Sequence, residues 1–437
     1  MWNTARYGSG QNVVPGNGDT LDFSNLANKT SVYFTNTNGL ESVKFKCMSN
    51  TGWDRGVNAV AVFLDKGVFR LEDQTAQEFR YVRINPAAIL KADRFRAAQS
   101  YDENIYECFA FRNDGVMDVG DLRFEFGYPN QAHHMMQFFR YASSGHLLRV
   151  NSITHNASCA VAYGPAMYLV NGSSAECKTL RIVMGSGGFR FEDCHRHYAC
   201  RPYFHVPENV AVTVFSSADY AIAENPYRSD HLAFNINSAS SEVVFDTSDY
   251  DERESGRDVP RTITVAGGLK SGGKVKVVGC GTLAFVTAYS EFRGGLAVHE
   301  SATVAVDAGC IPGTGAVALN DASTLKVAQS GTVAIAGALK MADGAVLAFN
   351  FTDKAVAPML KLASGTTVPA TVNVRLSCDN GATPPAGGEY QLTSGYDFTG
   401  KSINVENRPP WAASVQVDKS GNLVMRAKVP ALKLYIR

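Results

Sequence analysis

The chain has 437 residues, of which 45% are hydrophobic, and its 41 basic and 41 acidic residues give a net charge of zero. This composition excludes disorder over most of the chain, and the lack of a basic tract argues against nucleic acid as a partner. No run approaches the about 18 consecutive apolar residues of a membrane-spanning helix, so we predict no insertion into a membrane.

Residues 1–150 are the least regular part of the sequence and predict an irregular β region with a capping helix. The segment Asn85–Ala92 predicts a helix, because Asn caps exposed amides and Pro is tolerated at the first helical position. A second helix is predicted from Gln131 to Tyr141. We expect such helices to dock on a sheet or to cover the end of a stack of coils, where apolar core would otherwise be exposed.

Residues 151–261 predict wider coils with longer excursions, ending in a polar loop at Asp246–Asp258. The region 262–353 is the most regular, because eight short runs of small and β-branched residues recur between turns rich in Gly, Asn and Asp. These runs are 262–265, 274–277, 281–285, 302–306, 316–319, 324–327, 332–335 and 345–349. Each alternates at period two, so one of its faces can be buried.

The spacing of these runs is compatible with a sandwich or a barrel, but their quasi-regular repetition and small inward residues favour a stacked solenoid. Residues 354–437 contain two Pro-Pro pairs and three strand-like runs, and they predict a small C-terminal β cap. We therefore predict an all-β fold made of parallel coils with this cap.

Part of the regular region resembles a known repeat. Gly279–Phe285, Gly294–Val298 and Ala302–Val306 follow the pattern G-x-G-T-L-x-L, a polar loop, G-G-x-x-V and a further strand, and Gly313–Val317 continues it. This pattern is similar to the autotransporter-associated β-strand repeat, although Phe285 replaces the usual leucine. The resemblance covers about residues 262–350.

The resemblance implies a right-handed parallel β-helix that is exported as the passenger of a bacterial surface or secreted protein. Such passengers act mainly as adhesins, scaffolds or stalks, and glycans or host or bacterial surface proteins are the expected partners. The N-terminus lacks the basic and apolar segments of a signal peptide. The sequence fits a cytoplasmic protein or a mature extracellular chain whose leader was removed, and we favour the second.

Nine cysteines are too few for a disulfide scaffold in a chain of this length. Their spacing allows a bridge between Cys194 and Cys200, and another between Cys280 and Cys310 on neighbouring coils. The alternative is that most cysteines are small buried side chains.

The densest chemical cluster is Asp193–Cys200, with His205 just beyond it. Thiolate and imidazole suit zinc, but in an extended segment the two histidines of this run lie on one face and its two cysteines on the other. A local disulfide and an exposed polar loop are the alternatives. We predict no metal or cofactor here.

Two groups of acidic residues are the candidates for catalysis or for binding calcium. Asp246–Glu254 concentrates carboxylates beside Arg253 and Arg257, which suits a calcium site or a lyase, whereas an acidic solvated loop is the simpler interpretation. Glu192, Asp193 and Glu208 are acids that could converge only across coils. No paired-carboxylate motif or nucleophile elbow occurs, so we predict no catalytic residue.

Aromatic residues in the middle of the chain are candidates for stacking on sugar rings, or else fill the core of wider coils. They are Tyr198, Tyr203, Phe204, Tyr220 and Tyr227. The sequence therefore predicts a non-catalytic passenger as the leading function. A carbohydrate-active lyase or hydrolase on the same scaffold is the alternative, and a trimeric receptor-binding fibre is a third.

Overall fold

The structure is a computed structural model, and its chain divides into two units, Met1–Asn235 and Ile236–Arg437. The residues that the structure describes are 2–3, 12–13, 20–22, 31–35, 44–46, 60–71, 74–75, 79–99, 110–113, 115–126, 136–139, 147–157, 167–170, 179–192, 203–226, 231–287, 291–306, 315–328, 331–352, 356–379, 385 and 387–429.

The regular structure in the described parts of both units is almost all β-strand, with one short helix, and most strand pairs are parallel. Val304 illustrates the arrangement, because it pairs with Leu283 on one side and Leu325 on the other, 21 residues away in each direction. Such regular parallel pairing between successive coils defines a parallel β-helix. The predicted all-β fold class is confirmed.

The strands of the first unit vary widely in length. They are β1 (Trp2–Asn3), β2 (Asn12–Val13), β3 (Thr20–Asp22), β4 (Ser31–Thr35), β5 (Lys44–Lys46), β6 (Val60–Leu71), β7 (Gln74–Thr75), β8 (Phe79–Gln99), β9 (Ala110–Asn113), β10 (Val116–Phe126), β11 (Met136–Phe139), β12 (Leu147–Ala157), β13 (Met167–Val170), β14 (Thr179–Glu192), β15 (Phe204–Val206), β16 (Ala211–Ser216), β17 (Tyr220–Ile222) and β18 (Leu232–Ile236), which contains the boundary between the units.

Four long strands of the first unit, β8, β10, β12 and β14, pair in parallel in that order. Leu90, Met117, Leu148 and Ile182 share one column across them and are fully buried. Complete burial of one such side chain stabilises the fold by about 1.5–3 kcal/mol, so each column holds neighbouring coils together.

The helix predicted at Asn85–Ala92 is wrong, because this segment lies within β8. Ala88, Leu90 and Ala92 are buried at every second position, which is the period of a strand. Parallel pairing with β6 on one side and β10 on the other outweighs the local helix signals. The register against β6 shifts by one residue around Pro86, so the ladder is interrupted where proline offers no N–H.

The second predicted helix, Gln131–Tyr141, is also wrong where the structure describes it. Met136–Phe139 forms β11, which pairs in parallel with β13 through Met136 and Met167. The other residues of this predicted helix lie outside the described residues.

The second unit has mostly short strands and one described helix. Its elements are β19 (Glu242–Asp249), α1 (Tyr250–Glu254), β20 (Thr262–Val265), β21 (Gly268–Ser271), β22 (Lys274–Val278), β23 (Thr282–Phe285), β24 (Glu291–Phe292), β25 (Leu296–Val298), β26 (Thr303–Val306), β27 (Val317–Leu319), β28 (Thr324–Val327), β29 (Gly331–Ala334), β30 (Leu339–Met341), β31 (Val346–Phe351), β32 (Pro358–Lys361), β33 (Thr371–Cys378), β34 (Gly388–Gln391), β35 (Thr393–Ser394), β36 (Ser402–Asn407), β37 (Ala412–Val417) and β38 (Leu423–Ala427).

Aliphatic columns form the core of this unit. One column consists of Ile263, Leu283, Val304, Leu325, Leu347 and Val374. These side chains are at most 2% exposed. Each of the eight predicted runs between residues 262 and 349 contains a strand, so the β-strands predicted there are confirmed.

One corner of the coils requires glycine because successive backbones approach closely. A Cβ on Gly294 would lie 1.5 Å from the carbonyl oxygen of Gly273, and a Cβ on Gly315 would lie 1.4 Å from that of Gly294. A side chain therefore cannot be added at either position without moving a coil.

Parallel pairing continues beyond residue 353, through β33 and β36. A small antiparallel sheet, in the order β34-β38-β37, is also present in this part of the chain.

Candidate functional site

The end of β19 and helix α1 contain the acidic segment that the sequence singled out. Asp249 caps the helix, and its carboxylate accepts a hydrogen bond from the Glu252 amide at 2.9 Å. Asp246 and Asp249 are only 5% and 3% exposed. The interpretation of this segment as a solvated loop is therefore wrong for these two residues, because β19 extends to Asp249 and buries both.

Asp246 is the centre of a group that we call the corner cluster, which consists of Asp246, Arg253, Glu300 and Gly279. The Asp246 carboxylate accepts from the Ser248 amide at 3.0 Å and from Arg253 Nη1 at 2.7 Å. Arg253 Nη2 lies 3.5 Å from Glu300 Oε2, which also accepts from the Gly279 amide at 2.8 Å. One guanidinium thus joins two carboxylates.

Burial and charge act against each other in the corner cluster. Burial raises the pKa of Asp246, and this effect exceeds the opposing contributions of the Ser248 amide and the Arg253 charge. Burial also lowers the pKa of Arg253, but the charges of Asp246 and Glu300 outweigh it, so the pKa of this arginine is raised. The guanidinium stays charged and holds the cluster together.

Asp249 does not belong to the corner cluster and forms an ion pair with Arg261. Arg261 donates to its Oδ2 from Nε at 2.8 Å and from Nη2 at 2.5 Å. Burial raises the pKa of Asp249, but the Glu252 amide and the Arg261 guanidinium outweigh burial, so the pKa is lowered. Arg257, which the sequence named beside Arg253, pairs with Glu252.

A second group of charged and polar side chains lies in the first unit, and we call it the outer-face cluster. It consists of Asp121, Arg123, Ser152, Thr154 and Glu192. Asp121 Oδ1 accepts from Ser152 Oγ at 2.8 Å and from Thr154 Oγ1 at 2.9 Å, and Arg123 Nη1 lies 3.7 Å from Asp121 Oδ2. Arg123 Nη2 pairs with Glu192, so one arginine again joins two carboxylates.

Strand register creates this outer-face cluster. Asp121 on β10 is opposite Ser152 on β12, and Arg123 is opposite Thr154. The sequence left open whether Glu192 meets other acids across coils, and the structure brings it to Arg123, beside Asp121. Reasoning from the sequence missed Asp121 and Arg123, because no local motif marks them. Of the other two acids, Glu208 is exposed, and Asp193 lies outside the described residues.

The Cys and His segment Asp193–Cys200 lies outside the described residues, and of this cluster only His205 is described. Its side chain is buried, and its Nδ1 lies 3.1 Å from Asn235 Nδ2. Burial lowers the pKa of His205 to about 4, so the imidazole is neutral at physiological pH.

The described aromatic candidates belong mainly to the core. Phe204 packs with ring centroids 5.1 Å from Phe189 and 5.3 Å from Phe234, and Tyr220 is 4% exposed. Tyr203 is half-buried, with its ring 6.1 Å from that of His205. The remaining two candidates, Tyr198 and Tyr227, lie outside the described residues.

Cys280 is a free thiol, so the bridge to Cys310 that the spacing allowed is not formed. Its sulfur lies 3.4 Å from Ser248 Oγ, and its amide donates to the same hydroxyl at 3.1 Å. Cys310, Cys194 and Cys200 lie outside the described residues.

The described residues contain no group of three or more His, Cys, Asp or Glu side chains placed to hold a metal ion. They also contain no helix that is long and apolar enough to cross a membrane. No family model matches the chain, and no curated protein is significantly similar to it in sequence.

Proposed function

We propose that this chain is a non-catalytic passenger, secreted or displayed at a bacterial surface, which acts as an adhesin, scaffold or stalk. Its partners in this proposal are glycans and host or bacterial surface proteins. The supporting observation is that the carboxylates brought together in both clusters are held by arginines, amides or hydroxyls of the same chain.

This observation bears on catalysis through proton transfer. A general acid or base needs an oxygen within about 2.6–3.2 Å of the substrate proton. Asp246 and Asp121 direct oxygens at internal donors at 2.7–3.0 Å and 2.8–2.9 Å, respectively. A substrate would therefore compete with these internal bonds, whereas a binding surface on a stack of coils does not require such competition.

One observation favours the alternative, a β-helical carbohydrate-active enzyme of the lyase or hydrolase class. Asp246 has a pKa raised by burial and lies beside a second carboxylate, Glu300. Glycoside hydrolysis uses a pair of carboxyl groups, one of which has a raised pKa and acts as the general acid.

A panel of polysaccharides distinguishes the two functions when both binding and cleavage products are recorded. We expect binding without cleavage, or no interaction if the chain is a stalk. Cleavage that is lost in Asp246→Asn and kept in Glu389→Gln would contradict the passenger and establish the enzyme. Glu389 suits the control because its ion pair with Arg426 is exposed and belongs to neither cluster.

A further inference from the structure

The outer side of β8, β10 and β14 carries Arg94, Arg123 and Arg190 close to the outer-face cluster. Arg94 and Asp121 are opposite each other on β8 and β10, and Arg123, Thr154 and Arg190 are opposite one another on β10, β12 and β14. The residues between these positions are fully buried on the inner side: Phe95, Leu122, Ile153 and Phe189. Because successive side chains of a strand alternate between faces, Arg94, Arg123 and Arg190 project outward.

The three arginines differ in how their charge is compensated. Arg123 is held between Asp121 and Glu192, and its side chain is 18% exposed. Arg94 and Arg190 are exposed, and within the described part of the chain neither forms an ion pair with a carboxylate. Arg190 donates from Nε to the Gly187 carbonyl at 2.7 Å, which orients the guanidinium.

The spacing of the two uncompensated charges suits an extended ligand. Neighbouring strands lie about 4.8 Å apart, and Arg94 and Arg190 are three strand intervals apart, or about 14 Å along the stack.

Neutral polar groups lie at the edge of this face. Asn151 and Ser186 are both exposed, and Ser186 Oγ donates to Asn151 Oδ1 at 3.3 Å. Amide and hydroxyl groups of this kind exchange hydrogen bonds with sugar hydroxyls.

We propose that this arginine face, defined by Arg94, Arg123 and Arg190, binds a glycan containing uronic acids. The proposal deepens the glycan contact of the proposed function and rests on it. The guanidinium group presents a planar fork that matches a carboxylate in bidentate geometry, so uronate carboxylates pair with Arg94 and Arg190.

The surroundings favour this ligand over other polyanions. Asp121 and Glu192 lie next to the arginines and repel additional negative charge, so a chain that carries neutral hydroxyls between its carboxylates fits this face better than the unbroken phosphate chain of nucleic acid. The chain as a whole has a net charge of zero, so it exerts no general attraction for polyanions.

The test measures the affinity of the full chain for polygalacturonate and, in parallel, for neutral dextran and double-stranded DNA, at about 0.15 M salt. Of the three polymers, we expect only polygalacturonate to bind. The affinity for polygalacturonate should fall at least about tenfold in the double variant Arg94→Gln/Arg190→Gln. The matched control, Arg293→Gln/Lys340→Gln, removes two exposed positive charges from the second unit and should keep wild-type affinity. Thermal unfolding of both variants checks that they are folded.

Each other outcome overturns the proposal in a distinguishable way. Equal losses in the two double variants, or equally strong binding of DNA, would indicate non-specific charge attraction. If dextran binds and polygalacturonate does not, the uronate site is contradicted and the glycan contact of the proposed function is still supported. If no glycan binds, the uronate site and the glycan contact of the proposed function both fail. Cleavage of polygalacturonate that persists in the double variant would contradict both the site and the passenger.

Discussion

The two units assemble similar ionic groups in different ways. In the first unit, Arg123 joins Asp121 and Glu192 through the register of long strands, since these acids are 71 positions apart in the chain (192 − 121). In the second unit, Arg253 reaches Asp246 within the same segment, only seven positions away, and Glu300 comes from a later coil.

The two clusters also differ in the other hydrogen-bond donors to their aspartates and in the exposure of these aspartates. Asp121 accepts from two hydroxyls, and its side chain is 23% exposed. The side chain of Asp246 is 6% exposed, and besides its arginine it accepts from one backbone amide. The same combination of charges is therefore partly solvated on a sheet face and buried at a corner of the second unit.

The largest effect is expected from a charge placed in an aliphatic column of the second unit. Val304→Asp buries an unpaired carboxylate at a position that is fully buried and should cost more than about 4 kcal/mol of unfolding free energy. Thr303→Asp, on the half-buried outer face of the same strand, should cost far less. An unchanged melting temperature for Val304→Asp would contradict the register of β26.

The next effect tests the close approach of coils in the second unit. Gly294→Ala places a Cβ against the Gly273 carbonyl and should cost about 3 kcal/mol or more, measured by denaturant unfolding. Gly272→Ala is the matched control, because a Cβ there meets nothing within 4 Å. Similar stability of the two variants would show that the corner has room for side chains.

On acidification, the contributions of His205 and Asp246 to the stability of their units should change in opposite directions. The pKa of His205, in the first unit, is lowered from 6.5 to about 4, so its contribution is fully present above pH 6.5 and is lost as the pH falls towards 4. The maximum loss is about 3 kcal/mol. The pKa of Asp246, in the second unit, is raised above its usual value of 3.8 because its charged form is buried. Ionisation of Asp246 therefore destabilises the fold as the pH rises above 3.8, and acidification removes this destabilisation.

Melting curves recorded between pH 7 and pH 4 test these signs. We expect His205→Asn to flatten the decrease in melting temperature on acidification, and Asp246→Asn to remove a compensating gain and make the decrease steeper. Identical pH profiles for wild type and His205→Asn would refute the burial argument.

The smallest effects are expected when Arg253 and Arg123 are each replaced by glutamine and the losses of stability are compared. Arg253→Gln removes the guanidinium that donates to the buried Asp246 carboxylate at 2.7 Å and should cost about 2 kcal/mol of unfolding free energy. Arg123→Gln leaves Asp121 with two hydroxyl donors and partial solvation, and should cost about 1 kcal/mol. Chemical denaturation of both variants measures the difference, and the reverse order would invalidate the contrast between the clusters.

Local patterns were sufficient for the regular region and insufficient for the first unit. The runs around Val304 alternate at period two over short lengths between turns, and the structure confirms a strand in each. Asn85–Ala92 carries sound helix signals, but β8 pairs on both sides, and that pairing decides its conformation. Asp246 and Arg253 could be named from the sequence because they are close in the chain.

Local residue patterns were enough to predict the all-β fold and the parallel repetition, because alternation and turn residues recur in each run between residues 262 and 349. The pairing of distant segments was needed to establish that Asp121, Arg123 and Glu192 meet and that Asp246 is buried. Strand register and burial depend on that pairing, which no local pattern encodes. A one-residue slip in that pairing would place each outward side chain in the core.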